Sequence, residues 1–176
     1  MNEYSLAKVQ ILILKTKRSM KKKILTSKVL AAHQVLSTAK YGKVDDADKI
    51  KVWKIARKLA PVAEKFDADV KDASEKLKPT EDFNDRLQKA QEYEAMIRKP
   101  DYDAQKLPMG TAEYDAFIKE LQKYNKLVGD AVKEFGDKEV SVEFEPVSED
   151  AFGKLMASND SWKMAQVVEL GELIVE

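Results

Sequence analysis

The side chains able to do chemistry in this chain are few and scattered. His33 is the sole imidazole. A serine or cysteine nucleophile needs such a base beside it, and the base needs an orienting acid. The surrounding AAHQV offers no acid on the same helical face, so His33 reads as a partly buried histidine on a helix. The chain has no cysteine, which removes disulfides, thiol nucleophiles and cysteine metal sites. Asp45, Asp46 and Asp48 cluster as DDAD. A calcium loop needs oxygen ligands at regular offsets, a central glycine and a closing glutamate, and that frame is missing here. The three aspartates read as helix-capping residues that complement the positive end of a helix dipole. Glu143 and Glu145 flank Phe144 on one face of an extended segment. Paired carboxylates can hold magnesium or move protons, but a metal-dependent nuclease adds a further acid and a lysine. Lys138 and Glu139 do not complete that set. The two glutamates read as the charged face of an edge strand. No catalytic, cofactor-binding or metal-ligating residue is assigned, and no phosphate loop, dinucleotide fingerprint, zinc spacing or nucleophile elbow occurs.

Binding chemistry is the alternative. Lys15 to Lys23 carries six basic residues among nine. It lacks the interleaved aromatics of a nucleic-acid platform and reads as a solvated start. The large aromatics include Trp53, Trp162, Tyr93, Tyr102, Tyr114 and Tyr124. Tryptophan and tyrosine anchor many protein interfaces. At helical spacing they are more often core, and Trp53 is read as entering an apolar helix face. Tyr102 differs because it falls in a polar loop, which predicts exposure. Tyr102 and Trp162 are the candidate partner-binding residues.

The elements that must position these residues are long helices. From Ala56, apolar residues recur at Leu59, Ala63, Phe66, Val70, Ala73 and Leu77, in steps of three and four. A second run is Tyr114, Phe117, Leu121, Tyr124, Val128, Ala131 and Phe135. Each run keeps a narrow apolar seam on one side of a helix, and such a seam must face another helix. The expected helices are about Thr26 to Lys40, about Ala47 to Lys78, about Glu81 to Arg98, and Ala112 to Phe135. The second would be ~48 Å long and kinked at Pro61, because proline removes one backbone bond and crowds the preceding turn. Thr26 or Ser27, Asp45 or Asp46, Thr80, Thr111 and Ser148 are the predicted caps. Tyr41-Gly42 and Gly136 are predicted stops, and Gly129 a point where a neighbouring backbone comes close. Lys99 to Gly110 is a loop. Two segments change period. KKILT (Lys22 to Thr26) is compatible with a strand, and EVSVEF (Glu139 to Phe144) alternates apolar and polar residues as a half-buried strand does. These two strands are expected to pair and join the chain ends. A short helix follows Ser148, then a turn at Ser158 to Ser161, then a helix from Trp162 to Leu170. Leu173 to Val175 reads as helix or strand. The fold class is thus mainly α with a minor β element. Long antiparallel helices form a bundle, and a small two- or three-stranded sheet joins the N- and C-terminal regions.

Length and charge bound the rest. The chain has 176 residues, enough for one domain with its own core. The domain is read as 20–176. Residues 1–19 are an extension, either because Met20 (MKKKILTSKVL) is the true start or because Val9 to Leu14 forms an added strand. Charged residues make up 35% of the chain, with 31 basic against 31 acidic, so no broad positive surface for nucleic acid is expected. The balance is uneven along the chain. Residues 1–19 carry four basic residues against one acid, and 139–176 carry two against nine. No stretch approaches the roughly 20 apolar residues of a membrane span. The VQILIL run has its basic residues after it, opposite to an export signal.

The segments KKILTSKVLAAHQVL and EVSVEFEPVSEDAFGKLM resemble those of an uncharacterised family of small phage and prophage proteins. The resemblance covers about a third of the chain, at its two ends. It implies a phage or mobile-element origin, a place in the host cytoplasm or in a virion, and no known enzyme activity. The expected function is a non-catalytic interaction protein that binds a protein partner through its helical surface, with no cofactor. The alternatives are an oligomeric tail or head accessory protein, and a small metal-dependent hydrolase or nuclease using Glu143 and Glu145.

Overall fold

The computed structural model describes residues 19–176; the alternative strand at Val9 to Leu14 lies outside them. The order is β1 (Met20–Leu25), α1 (Thr26–Ser37), α2 (Asp46–Lys76), α3 (Phe83–Ile97), a 3-10 turn (Ala104–Lys106), α4 (Thr111–Gly136), β2 (Glu139–Phe144), α5 (Glu149–Met156) and α6 (Met164–Ile174). The fold is mainly helical with one small antiparallel sheet, as the periodicities predict. Two compact units divide the chain. One takes in the described residues up to Phe66 together with Gly136–Glu176, and the other is Asp67–Phe135.

In the first unit β1 and β2 pair antiparallel, with Met20 opposite Phe144, Lys22 opposite Val142 and Ile24 opposite Val140. Alternation puts Val142 and Phe144 into the core and leaves Glu139, Ser141 and Glu143 in solvent, as the period of two requires. An isolated parallel bridge joins Val147 to Val175, so the chain end is helical through Ile174 and extended at Val175. The core gathers Val29 and Leu36 of α1, Val52, Ile55 and Leu59 of α2, Leu155 of α5, and Leu170 and Ile174 of α6.

The second unit packs the end of α2 with α3 and α4. Phe83 and Phe117 are fully buried, their ring centroids 5.5 Å apart, and Phe83 lies 4.7 Å from Tyr124. The Tyr124 hydroxyl donates to the Ser74 carbonyl at 3.1 Å, tying α4 to α2. Arg86 pairs with Glu120 at 2.8 Å across α3 and α4, with its guanidinium 4.9 Å from the Phe117 ring.

Several local expectations fail for identifiable reasons. α1 ends at Ser37 rather than near Lys40. The Asn159 amide takes both backbone groups of Lys40, accepting from its N–H at 2.7 Å and donating to its carbonyl at 2.9 Å, so the Lys40 N–H is not available to continue the helix. No described glycine has positive φ, so neither Gly42 nor Gly136 supplies the left-handed stop. Nothing approaches a Cβ built at Gly129 within 4 Å, and no close backbone contact exists there. Of the hydroxyl caps only Ser148 works through its side chain, accepting from the Ala151 N–H at 3.2 Å. The Thr26 hydroxyl donates instead to the Lys138 carbonyl at 2.8 Å. That of Thr111 meets the Tyr93 hydroxyl at 3.1 Å, and Thr80 receives the Phe83 N–H on its carbonyl. α6 begins at Met164, leaving Trp162 in the preceding turn. By contrast, α2 continues through Pro61 as one helix, as the unbroken seam predicts.

Candidate partner-binding groove

The residues singled out for chemistry do not converge. His33 is half-buried on α1. Asp45 turns its side chain away from the helix start and accepts from the Lys154 ammonium at 2.7 Å, while its carbonyl receives the Asp48 and Lys49 N–H groups. Lys154 also meets Asp150 at 2.9 Å, and these two carboxylates hold its pKa well above the usual lysine range. Asp46 accepts from Lys49 at 2.8 Å, and this bond, then the lysine charge, lowers its pKa. Glu143 accepts from the Ser19 hydroxyl at 2.6 Å, whereas Glu145 lies 3.6 Å from Lys51. The two glutamates therefore serve different neighbours. Among the described residues no three His, Asp or Glu side chains gather as a metal would need.

Of the basic stretch, Lys15, Lys17 and Arg18 lie outside the described residues, and Lys21 and Lys23 are exposed. Lys22 points inward. Its ammonium donates to the carbonyls of Glu172 (2.6 Å) and Leu173 (3.1 Å) near the C-terminal end of α6, where a cation complements the helix dipole. Burial lowers its pKa, against the opposing charge of Glu172. Tyr102 is exposed in the loop after α3, as expected. Trp162 is half-buried against the core of the first unit. The two belong to different units and form no common surface patch within either.

The exposed aromatic that sequence reasoning placed in the core is Trp53, which keeps 53% of its surface in solvent. The buried stripe of this part of α2 is Val52, Ile55 and Leu59. Trp53 follows Val52 by one residue, about 100° round the helix, so it leaves the stripe at its edge. Arg57, one turn on, stacks its guanidinium 4.8 Å from the Trp53 ring centroid, a cation–π contact. Pro61 continues the same row. These residues, with Ile55 and Phe144, form the apolar part of a groove of about 530 Å³, within the range of small-ligand and peptide-anchor sites. Lys51, Lys54 and Lys58 add positive charge to its walls, and Glu145 is its single acid. Lys51 is committed to Glu145 and to Asp48, at 3.6 and 3.5 Å. Ile50, one turn before Trp53, is also 53% exposed. The arrangement suits an apolar side chain accompanied by negative charge. The clue in the sequence was the row Trp53, Arg57, Pro61 beside Lys54 and Lys58, a spacing of four that departs from the seam.

Among the described residues no helix is long and apolar enough to cross a membrane. Comparison with protein-family models, with curated proteins and with solved structures gave no match.

Proposed function

We propose that this chain is a non-catalytic interaction protein that docks a protein partner on the groove of α2. The half-exposed Trp53, braced by Arg57, carries the reading. A large rigid aromatic held in solvent by a stacked arginine is the kind of anchor that concentrates binding energy at interfaces. The scaffold supports it, because Val52, Ile55 and Leu59 are fixed in the core directly behind the exposed row. The resemblance of the terminal segments supports a phage or mobile-element origin, with the partner inside the bacterial host.

The reading is tested by placing a photoreactive phenylalanine at position 53, and separately at position 102, then irradiating in cells and identifying the adducts. The partner is then purified and titrated against the unmodified chain and Trp53→Ala. The expected outcome is a defined adduct from position 53 and loss of binding in Trp53→Ala. Equal adducts from both positions, or unchanged binding by Trp53→Ala, would refute it.

A second reading, an oligomeric assembly component, draws on the seams. Val70, Ala73 and Leu77 of the first seam and Val128 and Ala131 of the second are only half-buried, which leaves apolar surface for a second copy. Light scattering over a hundredfold concentration range separates the two, since a constant monomer mass removes this one.

A further inference from the structure

We infer that the occupant of the α2 groove is an acidic peptide segment carrying one aromatic or large aliphatic anchor. This inference rests on the docking function proposed above and names the partner's chemistry. The groove is unbalanced in charge. Lys51, Lys54, Arg57 and Lys58 contribute to it against Glu145 alone. Lys51 is already matched by Glu145 and Asp48. Among the described residues Lys54 and Lys58 carry no ion pair, and Arg57 is engaged only with the Trp53 ring. Three cations on one turn and a quarter of helix thus remain without carboxylate partners, beside an exposed indole.

The geometry favours a peptide over single-stranded nucleic acid. A nucleic-acid groove offers successive aromatic platforms on which bases stack. Here there is one exposed ring, one of its faces is covered by Arg57 at 4.8 Å, and Phe144 is 5% exposed. From Trp53 to Pro61 the helix rises ~12 Å, the reach of about four extended residues. One anchor on the Trp53–Pro61 row, with acids before and after it, would bring carboxylates to Lys54, Arg57 and Lys58. Arginine offers such carboxylates a two-pronged donor.

The test uses fluorescence polarisation with a labelled seven-residue peptide, one phenylalanine flanked on each side by three Asp or Glu. Its competitors are the same peptide with Asn and Gln for the acids, the same peptide with serine for phenylalanine, and a twelve-nucleotide oligothymidylate. The acidic peptide is expected to bind about tenfold tighter than the amide version, because each exposed ion pair adds little and three add about one decade. It should also bind tighter than the serine version. Lys54→Gln/Lys58→Gln, mild enough to keep the fold, should remove that advantage, and Arg57→Gln should reduce it. The control pair Lys123→Gln/Lys126→Gln on exposed α4 should leave it intact. Equal affinity for the amide peptide overturns the inference, as does equal loss in the α4 control. Tighter binding of the oligothymidylate overturns it in favour of nucleic acid. If the peptide fails while the partner cross-linked at position 53 still depends on Trp53, the acidic-segment inference falls and the docking function stands.

Discussion

Asn159 shows how much one side chain can decide. It is 6% exposed, and its amide makes three bonds, two to the Lys40 backbone and one to the Leu155 carbonyl at 2.8 Å. The neighbouring Ser158 hydroxyl accepts from the Lys43 N–H at 2.9 Å. Together they fix the connection between α1 and α2. Asn159→Ala removes all three amide bonds and takes from the Lys40 N–H its side-chain acceptor, while the Leu155 carbonyl keeps the Ser158 N–H at 3.1 Å. The expected loss is about 2 kcal/mol, read as a lower denaturant midpoint at unchanged slope. Tyr114 makes a second single-residue case. Its hydroxyl donates to the Glu94 carboxylate at 2.5 Å, and its ring stacks on Tyr93 at 4.4 Å. The hydrogen bond, then burial, raises its pKa above the ordinary value near 10. A raised folded pKa means that the bond's stabilisation is complete below the unfolded pKa and is lost as pH climbs through the folded one. In a tyrosinate absorbance titration, Tyr114→Phe should delete a component ionising above pH 10, and the alkaline loss of stability should become shallower.

At the level of elements, the instructive case is α2, which passes Pro61 without interruption. Proline has no N–H to offer the Arg57 carbonyl, so the helix gives up one bond there. The core contacts of Ile55 and Leu59 before it, and of Val62 after it, hold the two sides in one helix. Pro61→Ala restores the donor but releases entropy to the unfolded chain. The net effect should be a gain of about 1–2 kcal/mol, seen as a higher thermal midpoint, and a helix that hydrogen exchange shows more protected at residues 57–62. If stability falls instead, the proline is matched to the backbone and the bond it forgoes is not the limiting cost. The caps argue the same point from the other direction. Thr26 and Thr111 have the residue type for capping, yet each hydroxyl goes to a residue distant in sequence. A cap hydrogen bond is worth ~1 kcal/mol, little enough that another partner can replace it.

On the scale of the whole molecule, two cores exist. One centres on Ile55, Leu155 and Ile174, the other on Phe83 and Phe117. Phe83→Ala should cost about 3–5 kcal/mol and Leu155→Ala about 2–5 kcal/mol. The discriminating measurement is native-state hydrogen exchange. Phe83→Ala should lower protection across 67–135 and leave the strand amides of β1 and β2 close to their original values, whereas Leu155→Ala should do the reverse. Uniform loss of protection in both variants would show a single cooperative unit.

The sequence determined the elements, because period is a local property. Steps of three and four specify long helices, and strict alternation in EVSVEF specifies a half-buried strand, whatever surrounds them. It also led to the expectation that β1 and β2 pair, since each carries an apolar face that a partner strand and a helix layer must cover. Tertiary structure decided how the individual side chains are used. Trp53 lies one residue past the buried stripe, and only the placement of Phe144 and Glu145 beside α2 turns that offset into a groove. Lys22 breaks the alternation of its strand, and only the end of α6 supplies the carbonyls that satisfy it. Neither the termination of α1 by Asn159 nor the division into two cores has a local signature, because both depend on contacts between residues far apart in the chain.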